Sequence, residues 1–315
     1  MTDNSITTYQ RILKSSIAEQ ILADCKIYVD VDTLRPHLIG DRVSKGSEVY
    51  KYMKNASQGG GFVSTKYHSK DIITARMFTC KNHLNVITLS DPVVLSAMKS
   101  RYDRGVMAVL DYKAYEPSII RHILGNSFPE NFHTWAAQIL CLDRSDVKRV
   151  NMALLYCEDF EARAVHTVDD LVGMGCDPNH IVSYICHMED IRNKIDEFVG
   201  PHIKTYQKYG YIVNSFGRKI YPKESRNIFS NMIQSIGSEI IVDAIIDTNE
   251  FLSGKKSHLL FHKFDSLYFD ISRGDFSKNI DAIVKIMESI GGEIQLKVGI
   301  QLGNSLNSLK DFKIE

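Results

Sequence analysis

Apolar positions in this chain fall into short uninterrupted runs and longer periodic stretches, and the two signals predict different elements. The run Val106-Met-Ala-Val-Leu110 predicts a buried strand that delivers Asp111 at its tip, followed by a turn into a helix over 116–124. Helical periodicity covers most of 131–208, a turn and hairpin follow over 210–221, and a long helix spans 226–252. Leu259-Leu-Phe261 and Leu267-Tyr-Phe-Asp-Ile271 predict two strands flanking Asp265, and 292–302 alternates like a further strand. Two helical patterns occupy residues 1 to about 60, and the Gly-rich loop Gln58-Gly-Gly-Gly61 with the polar stretch to Lys70 marks an internal joint. A sheet with a separate helical lobe makes the fold class α+β, not a doubly wound sheet.

Composition narrows the class. A chain of 315 residues with 44% hydrophobic residues can bury a full core. No stretch approaches the ~18 uninterrupted apolar residues of a membrane span. The first residues, MTDNSITTYQRILKSS, lack a secretory apolar block, so a soluble, cytoplasmic protein with no membrane partner is expected. The six cysteines, at 25, 80, 141, 157, 176 and 186, form no C-x-x-C pair, which predicts reduced, mostly buried thiols and no zinc site. Equal numbers of basic and acidic residues, 38 each, argue against nucleic-acid binding by bulk charge and leave a local stripe as the alternative.

Candidate chemistry lies in an ordered set: Asp111, then a cationic helix at 144–156, then Asp265. Either aspartate alone is more often a turn residue or a helix cap. Two carboxylates that a fold can bring together, with cations aimed at the same place, are what metal-dependent phosphoryl transfer needs. The helix starts at Asp143, a candidate N-cap, and at ~100° per residue its positions 144, 148, 152 and 156 drift through only about 120°. One face therefore carries Arg144 and Lys148 near the positive helix start, then Met152, then Tyr156. Phosphates bind well at such an end, and a base can lie over Met152 and Tyr156. By itself the same pattern also describes an amphipathic surface helix with solvated cations.

The motifs resemble those of the family-A DNA polymerases, the bacterial polymerase I group and its phage relatives. Asp111-Tyr112-Lys-Ala-Tyr-Glu116 is similar to the family's first catalytic motif, and His133-Thr134 to its His-Thr at the entry to the fingers. Arg144, Lys148 and Tyr156 match the spacing of the nucleotide-binding helix. Tyr209-Gly-Tyr211 through Phe216-Gly-Arg218-Lys219, Gln234 in the following helix, and Phe264-Asp265-Ser266 resemble later segments in order. Thr74-Ala-Arg76-Met77 with Leu84 and Ile87 resembles an upstream segment, and Leu296-Lys-Val-Gly299 the terminal strand, so the likeness covers about residues 74–310.

The resemblance implies a right-hand polymerase with an antiparallel palm sheet and helical fingers, the thumb reduced and no exonuclease domain. The expected division is a reduced thumb over 1–73, palm over 74–125 and 226–315, and fingers over 126–225. It implies a template-directed DNA polymerase of phage origin, working in the host cytoplasm without proofreading on primer-template DNA and dNTPs. Asp111 and Asp265, with the Tyr112 carbonyl, would hold two Mg²⁺ ions. Arg144, Lys148 and His133 would grip phosphates, with Lys148 protonating the pyrophosphate. Met152 and Tyr156 would line the base. Glu116 would sit under the sugar and exclude a 2′-hydroxyl, and Arg76, Arg218 and Gln234 would touch DNA. A protein partner would supply thumb, clamp or exonuclease function, docking on apolar faces within residues 1–60.

Departures from the family pattern keep alternatives open. Met152 stands where an aromatic residue is usual, Cys157 for glycine, Phe264 for histidine and Ser266 for glutamate. Met152 and the Asp265-Ser266 pair resemble the single-subunit phage RNA polymerases, whereas Glu116 favours deoxynucleotides. An RNA-synthesising polymerase or primase, or a non-catalytic DNA-binding or assembly subunit, are the alternatives. Asp30-Val-Asp32 superficially resembles an exonuclease metal pair, and His180, Cys186 and His187 lack ligand spacing.

Overall fold

The computed structural model describes residues 3–38, 47–70 and 72–313. In chain order its longer elements are α1 (Asp3–Asp24), α2 (Glu48–Gln58), β1 (Val106–Tyr112), α3 (Tyr115–Leu124), α4 (Phe132–Leu140), α5 (Arg144–Leu155), α6 (Phe160–Gly173), α7 (Pro178–Tyr209), α8 (Ile228–Leu252), β2 (His258–Lys263), β3 (Ser266–Ile271), α9 (Phe276–Ser289), β4 (Val298–Gly303) and β5 (Lys310–Phe312). The chain divides into two units, Met1–Lys113 with Ser238–Glu315, and Ala114–Gly237, so α8 contributes to both.

The first unit is built on a five-stranded sheet in the order β5-β4-β1-β3-β2. Every neighbouring pair is antiparallel. β1 lies at its centre, which is why its sequence reads as an unbroken apolar run: alternate residues point to opposite faces, and Met107, Ala108, Val109 and Leu110 are all buried. Tyr112, on one face, donates its hydroxyl to the Met287 carbonyl of α9 at 2.8 Å, and Asp111 points from the other. β2 and β3 form a hairpin whose last pair is Lys263 with Ser266, leaving Phe264 and Asp265 as a two-residue turn. Phe264 takes φ +56°, the left-handed conformation that such tight turns require.

Helix α1 is fixed by buried charge. Arg11 donates to Glu239 at 2.7 Å and to both oxygens of Asp243 at 2.9 and 3.1 Å, and Lys14 adds a 2.8 Å contact to Asp243. Arg11 is 7% and Glu239 0% exposed, so each charge depends on its partner. On its outer side α1 leaves Ile6, Tyr9, Ile12, Leu13 and Ile17 exposed.

The second unit is helical apart from a short hairpin, Ile212–Val213 with Lys219–Ile220. Its longest helix, α7, carries its punctuation in sequence: Asp177 accepts from Asn179 N–H, Pro178 opens the first turn, and Gly210 ends the helix at φ +73°. α5 buries Val147, Val150, Asn151, Leu154 and Leu155 and leaves Arg144 and Lys148 exposed.

Several local expectations are corrected. Within 292–302 only Val298 onward pairs as a strand; Ile294 and Leu296 are buried, which produces the alternation, but they join no ladder. Asp143 occupies the N-cap position of α5 without making a side-chain cap bond. The Gly59–Gly61 segment is not a joint but the end of α2, where Gly61 N–H bonds Ala56 and φ reaches +64° and +90° at Gly60 and Gly61. Of the six free thiols only Cys176 is buried, and Cys141 and Cys186 are exposed. Asp30 caps the short helix Val31–Leu34 and pairs with Lys99 at 2.6 Å, which accounts for its place beside Asp32.

Candidate functional site

Strand pairing brings the first group together. Asp111 on β1 lies opposite Ser266 on β3, and the Ser266 hydroxyl donates to Asp111 Oδ1 at 2.5 Å across 155 residues of sequence. One step further on, Tyr112 N–H donates to the Asp265 carbonyl at 3.2 Å. A strand residue's N–H and C=O leave on the same side, so the Tyr112 carbonyl also points toward the Phe264–Asp265 turn. Asp111 and Asp265 thus sit at one end of the sheet, both half-buried. Their charge is felt nearby: burial first, then the fields of Asp111 and Asp265, push the Tyr268 hydroxyl up to about 12. On the other flank Asp111 pairs with Gly299, and a Cβ there would overlap the exposed Lys113 side chain, which lies across that glycine.

Two carboxylates and a main-chain carbonyl are hard oxygen donors. Among the described residues no group of three or more His, Cys, Asp or Glu side chains is gathered. Such a sparse set suits an ion that keeps waters and takes further oxygens from substrate phosphates, as Mg²⁺ does, and does not suit an all-protein cage.

The second group belongs to the helical unit. Arg144 and Lys148 project from the first turns of α5, and among the described residues neither makes an ion pair within that unit. His133 on α4 is 4% exposed, and its pKa falls to about 4 because of burial and then the Arg144 and Lys148 charges, which places these three residues in one another's field. The imidazole is therefore neutral near pH 7. Asn151 Nδ2 lies 3.0 Å from His133 Nδ1, and the Tyr184 hydroxyl donates to Asn151 Oδ1 at 2.6 Å.

Further along the same face, Met152 is half-buried and Tyr156 stands just past the helix end, where its hydroxyl donates to Glu116 Oε2 at 2.9 Å. This joins two candidate residues from α3 and α5. Gln234 on α8 is half-buried. Arg218 is 7% exposed in the short hairpin, where its N–H bonds Asn214 Oδ1, so little of it reaches solvent. Arg76, in the first unit, is half-buried.

Sequence reading missed the Ser266 bond to Asp111, because a serine replacing a glutamate looks like a loss. It also missed Asn151 and Tyr184. The signal was a single amide in the otherwise apolar row Val147, Val150, Leu154, Leu155.

No protein-family profile and no curated protein matches the chain. Among solved structures, the polymerase domain of Pol1 from M. smegmatis, in complex with DNA primer-template and dNTP, is similar to it with a TM-score of 0.69 at 14% sequence identity, covering 94% of this chain and 70% of that one. At that identity the likeness is one of fold: the chain has the fold of a polymerase domain.

Proposed function

We propose that this chain is a template-directed DNA polymerase that extends a primer 3′ end with deoxynucleotides, by two-metal-ion phosphoryl transfer. The observation that carries the reading is the meeting of Asp111, Ser266 and Asp265 at one end of an antiparallel sheet in a chain with a polymerase-domain fold. Primer-template DNA and dNTP, which accompany the M. smegmatis domain, are the ligands proposed here. In this reading 74–125 and 226–315 form the palm, 126–225 the fingers, and 1–73 a reduced thumb.

Asp111 and Asp265, with the Tyr112 carbonyl, would hold two Mg²⁺ ions, and the Ser266 hydroxyl fixes the rotamer of Asp111. When bound, such ions lower the pKa of the primer hydroxyl and offset charge on the leaving pyrophosphate. Arg144 and Lys148 bind the phosphates at the positive end of α5, His133 donates to them as a neutral imidazole, and Lys148 supplies the proton to the departing pyrophosphate. Met152 and Tyr156 line the base. Tyr156 holds Glu116 under the sugar, where its carboxylate and bulk oppose a 2′-hydroxyl. Arg76 and Gln234 contact the minor groove near the primer end, where every base pair offers acceptors, and Arg218 is a further DNA contact. A protein partner would find the exposed apolar stripe of α1 to dock on.

Primer extension on four templates that differ at the first unpaired base tests the reading. Addition of the complementary dNTP alone on each template supports it. Preferential addition of rNTPs would make the chain an RNA-synthesising polymerase, and no templated addition would leave a binding subunit with a polymerase fold.

A further inference from the structure

Asn151 is an amide inside an apolar helix face, 0% exposed, and its side chain joins two other buried ones, Tyr184 at 0% and His133 at 4%. A buried amide must find partners for its oxygen and nitrogen or bear the cost of leaving them unmet. Here the Tyr184 hydroxyl, on α7, has one hydrogen and donates it to Asn151 Oδ1 at 2.6 Å. Burial pushes the Tyr184 hydroxyl pKa up, so that hydrogen stays in place. With its oxygen engaged, Asn151 turns its nitrogen, a donor only, toward His133 Nδ1 at 3.0 Å. Nδ1 must then offer its lone pair, and a neutral imidazole in that position carries its proton on Nε2.

We propose that Tyr184 and Asn151 are positioning residues that lock His133 as the Nε2–H tautomer, an uncharged donor for an anionic phosphate oxygen bound by Arg144 and Lys148. In the opposite tautomer Nε2 would present a lone pair to that oxygen and repel it. Protonating the ring would also give a donor, but burial beside two fixed cations disfavours a third positive charge. The relay supplies the donor without the charge. The inference rests on the assignment of His133 to the phosphates.

The tautomer can be read without any activity. In protein labelled with ¹⁵N in its histidines, long-range ¹H–¹⁵N correlation near pH 7 should show His133 with a protonated Nε2 and a bare Nδ1. A wild-type His133 protonated at Nδ1, or an even mixture, overturns the relay whether or not the chain polymerises. Tyr184→Phe should shift His133 toward a mixture and raise KM for the template-matched dNTP roughly 3- to 10-fold, the worth of one hydrogen bond, with a smaller change in kcat.

His133→Gln keeps a donor near the Nε2 position and has no tautomer to lock, so adding Tyr184→Phe to it should change KM little. An equal KM increase in both backgrounds would make Tyr184 a packing residue only and overturn the proposal. A wild type that incorporates no nucleotide would instead remove the polymerase reading, with the tautomer still measured by the nitrogen shifts.

Discussion

The two units build opposite charges by opposite means. In the sheet unit, negative charge is concentrated by tertiary pairing: Asp111 comes from β1 and Asp265 from the β2–β3 turn, far apart in sequence, and the ladder and the Ser266 bond hold them at one end. In the helical unit, positive charge is concentrated locally, by Arg144 and Lys148 one turn apart at a helix start. The chain as a whole is neutral, with 38 charges of each sign, so neither patch reflects bulk composition. Like charges held close are unfavourable until a counter-ion arrives. One patch therefore calls for a cation and the other for an anion.

Neutralising the sheet patch should have the largest effect. Asp111→Asn and Asp265→Asn should each slow incorporation at least about 1,000-fold, ~4 kcal/mol in barrier, with melting temperature nearly unchanged because volume is preserved. Rapid-quench rates and thermal melts check this, and an active variant would remove the carboxylates from the chemistry.

Two buried histidines sharpen the contrast between the units. His262 on β2 has its pKa lowered to about 4 by burial, whereas the similar fall at His133 also involves Arg144 and Lys148. Both folded values lie below the ordinary 6.5 of an unfolded histidine. The stability linked to each is therefore fully present above pH 6.5 and is lost as pH falls from there through 4. For His262 the full loss is about 3 kcal/mol by the 1.36-per-unit rule. Denaturation of His262→Phe across that range should show a flatter pH profile than wild type. In the same spirit, Lys148→Ala should raise the His133 pKa toward 6.5 and leave His262 unmoved in an NMR titration.

Truncating the cations should come next. Arg144→Ala and Lys148→Ala should each lower kcat/KM for dNTP by roughly 10- to 100-fold, as expected for hydrogen bonds to a charged group worth about 1.5–3 kcal/mol. Lys148→Arg should recover binding but not kcat if the lysine also donates a proton. Steady-state kinetics with one matched dNTP separates the two, and full kcat in Lys148→Arg would deny that proton role.

The smallest effect belongs to the link between Tyr156 and Glu116. Glu116→Ala should raise ribonucleotide use relative to deoxynucleotide use by about 10-fold. Tyr156→Phe, which removes the 2.9 Å bond, should raise it by a factor of a few, about 1 kcal/mol. Selectivity untouched in both would free Glu116 of any sugar-sensing role.

What could be read from sequence follows the same division. The cationic face of α5 is a matter of spacing along one helix, and spacing is visible in a linear chain. β1 and the β2–β3 hairpin were also visible, because an inner strand is a continuous apolar run and a two-residue turn leaves a short polar gap between two runs. The start of β4 was not, since burial of Ile294 and Leu296 imitates strand alternation without pairing. The Ser266 bond to Asp111, the Tyr156 bond to Glu116 and the Tyr184–Asn151–His133 chain join residues 155, 40, 33 and 18 positions apart. No local propensity encodes such partners, and they appear only once packing is known.

Whether the carboxylates and the cations serve one metal-dependent reaction is decided by the single-turnover rate at which one template-matched dNTP is added to a primer by the wild-type chain, by Asp111→Asn and by Lys148→Ala, measured over a Mg²⁺ titration. Templated addition should require Mg²⁺, be lost in Asp111→Asn at every Mg²⁺ concentration, and in Lys148→Ala be partly recovered by raising dNTP. Addition by Asp111→Asn at the wild-type rate, or none by the wild-type chain at saturating Mg²⁺ and dNTP, would contradict that shared role.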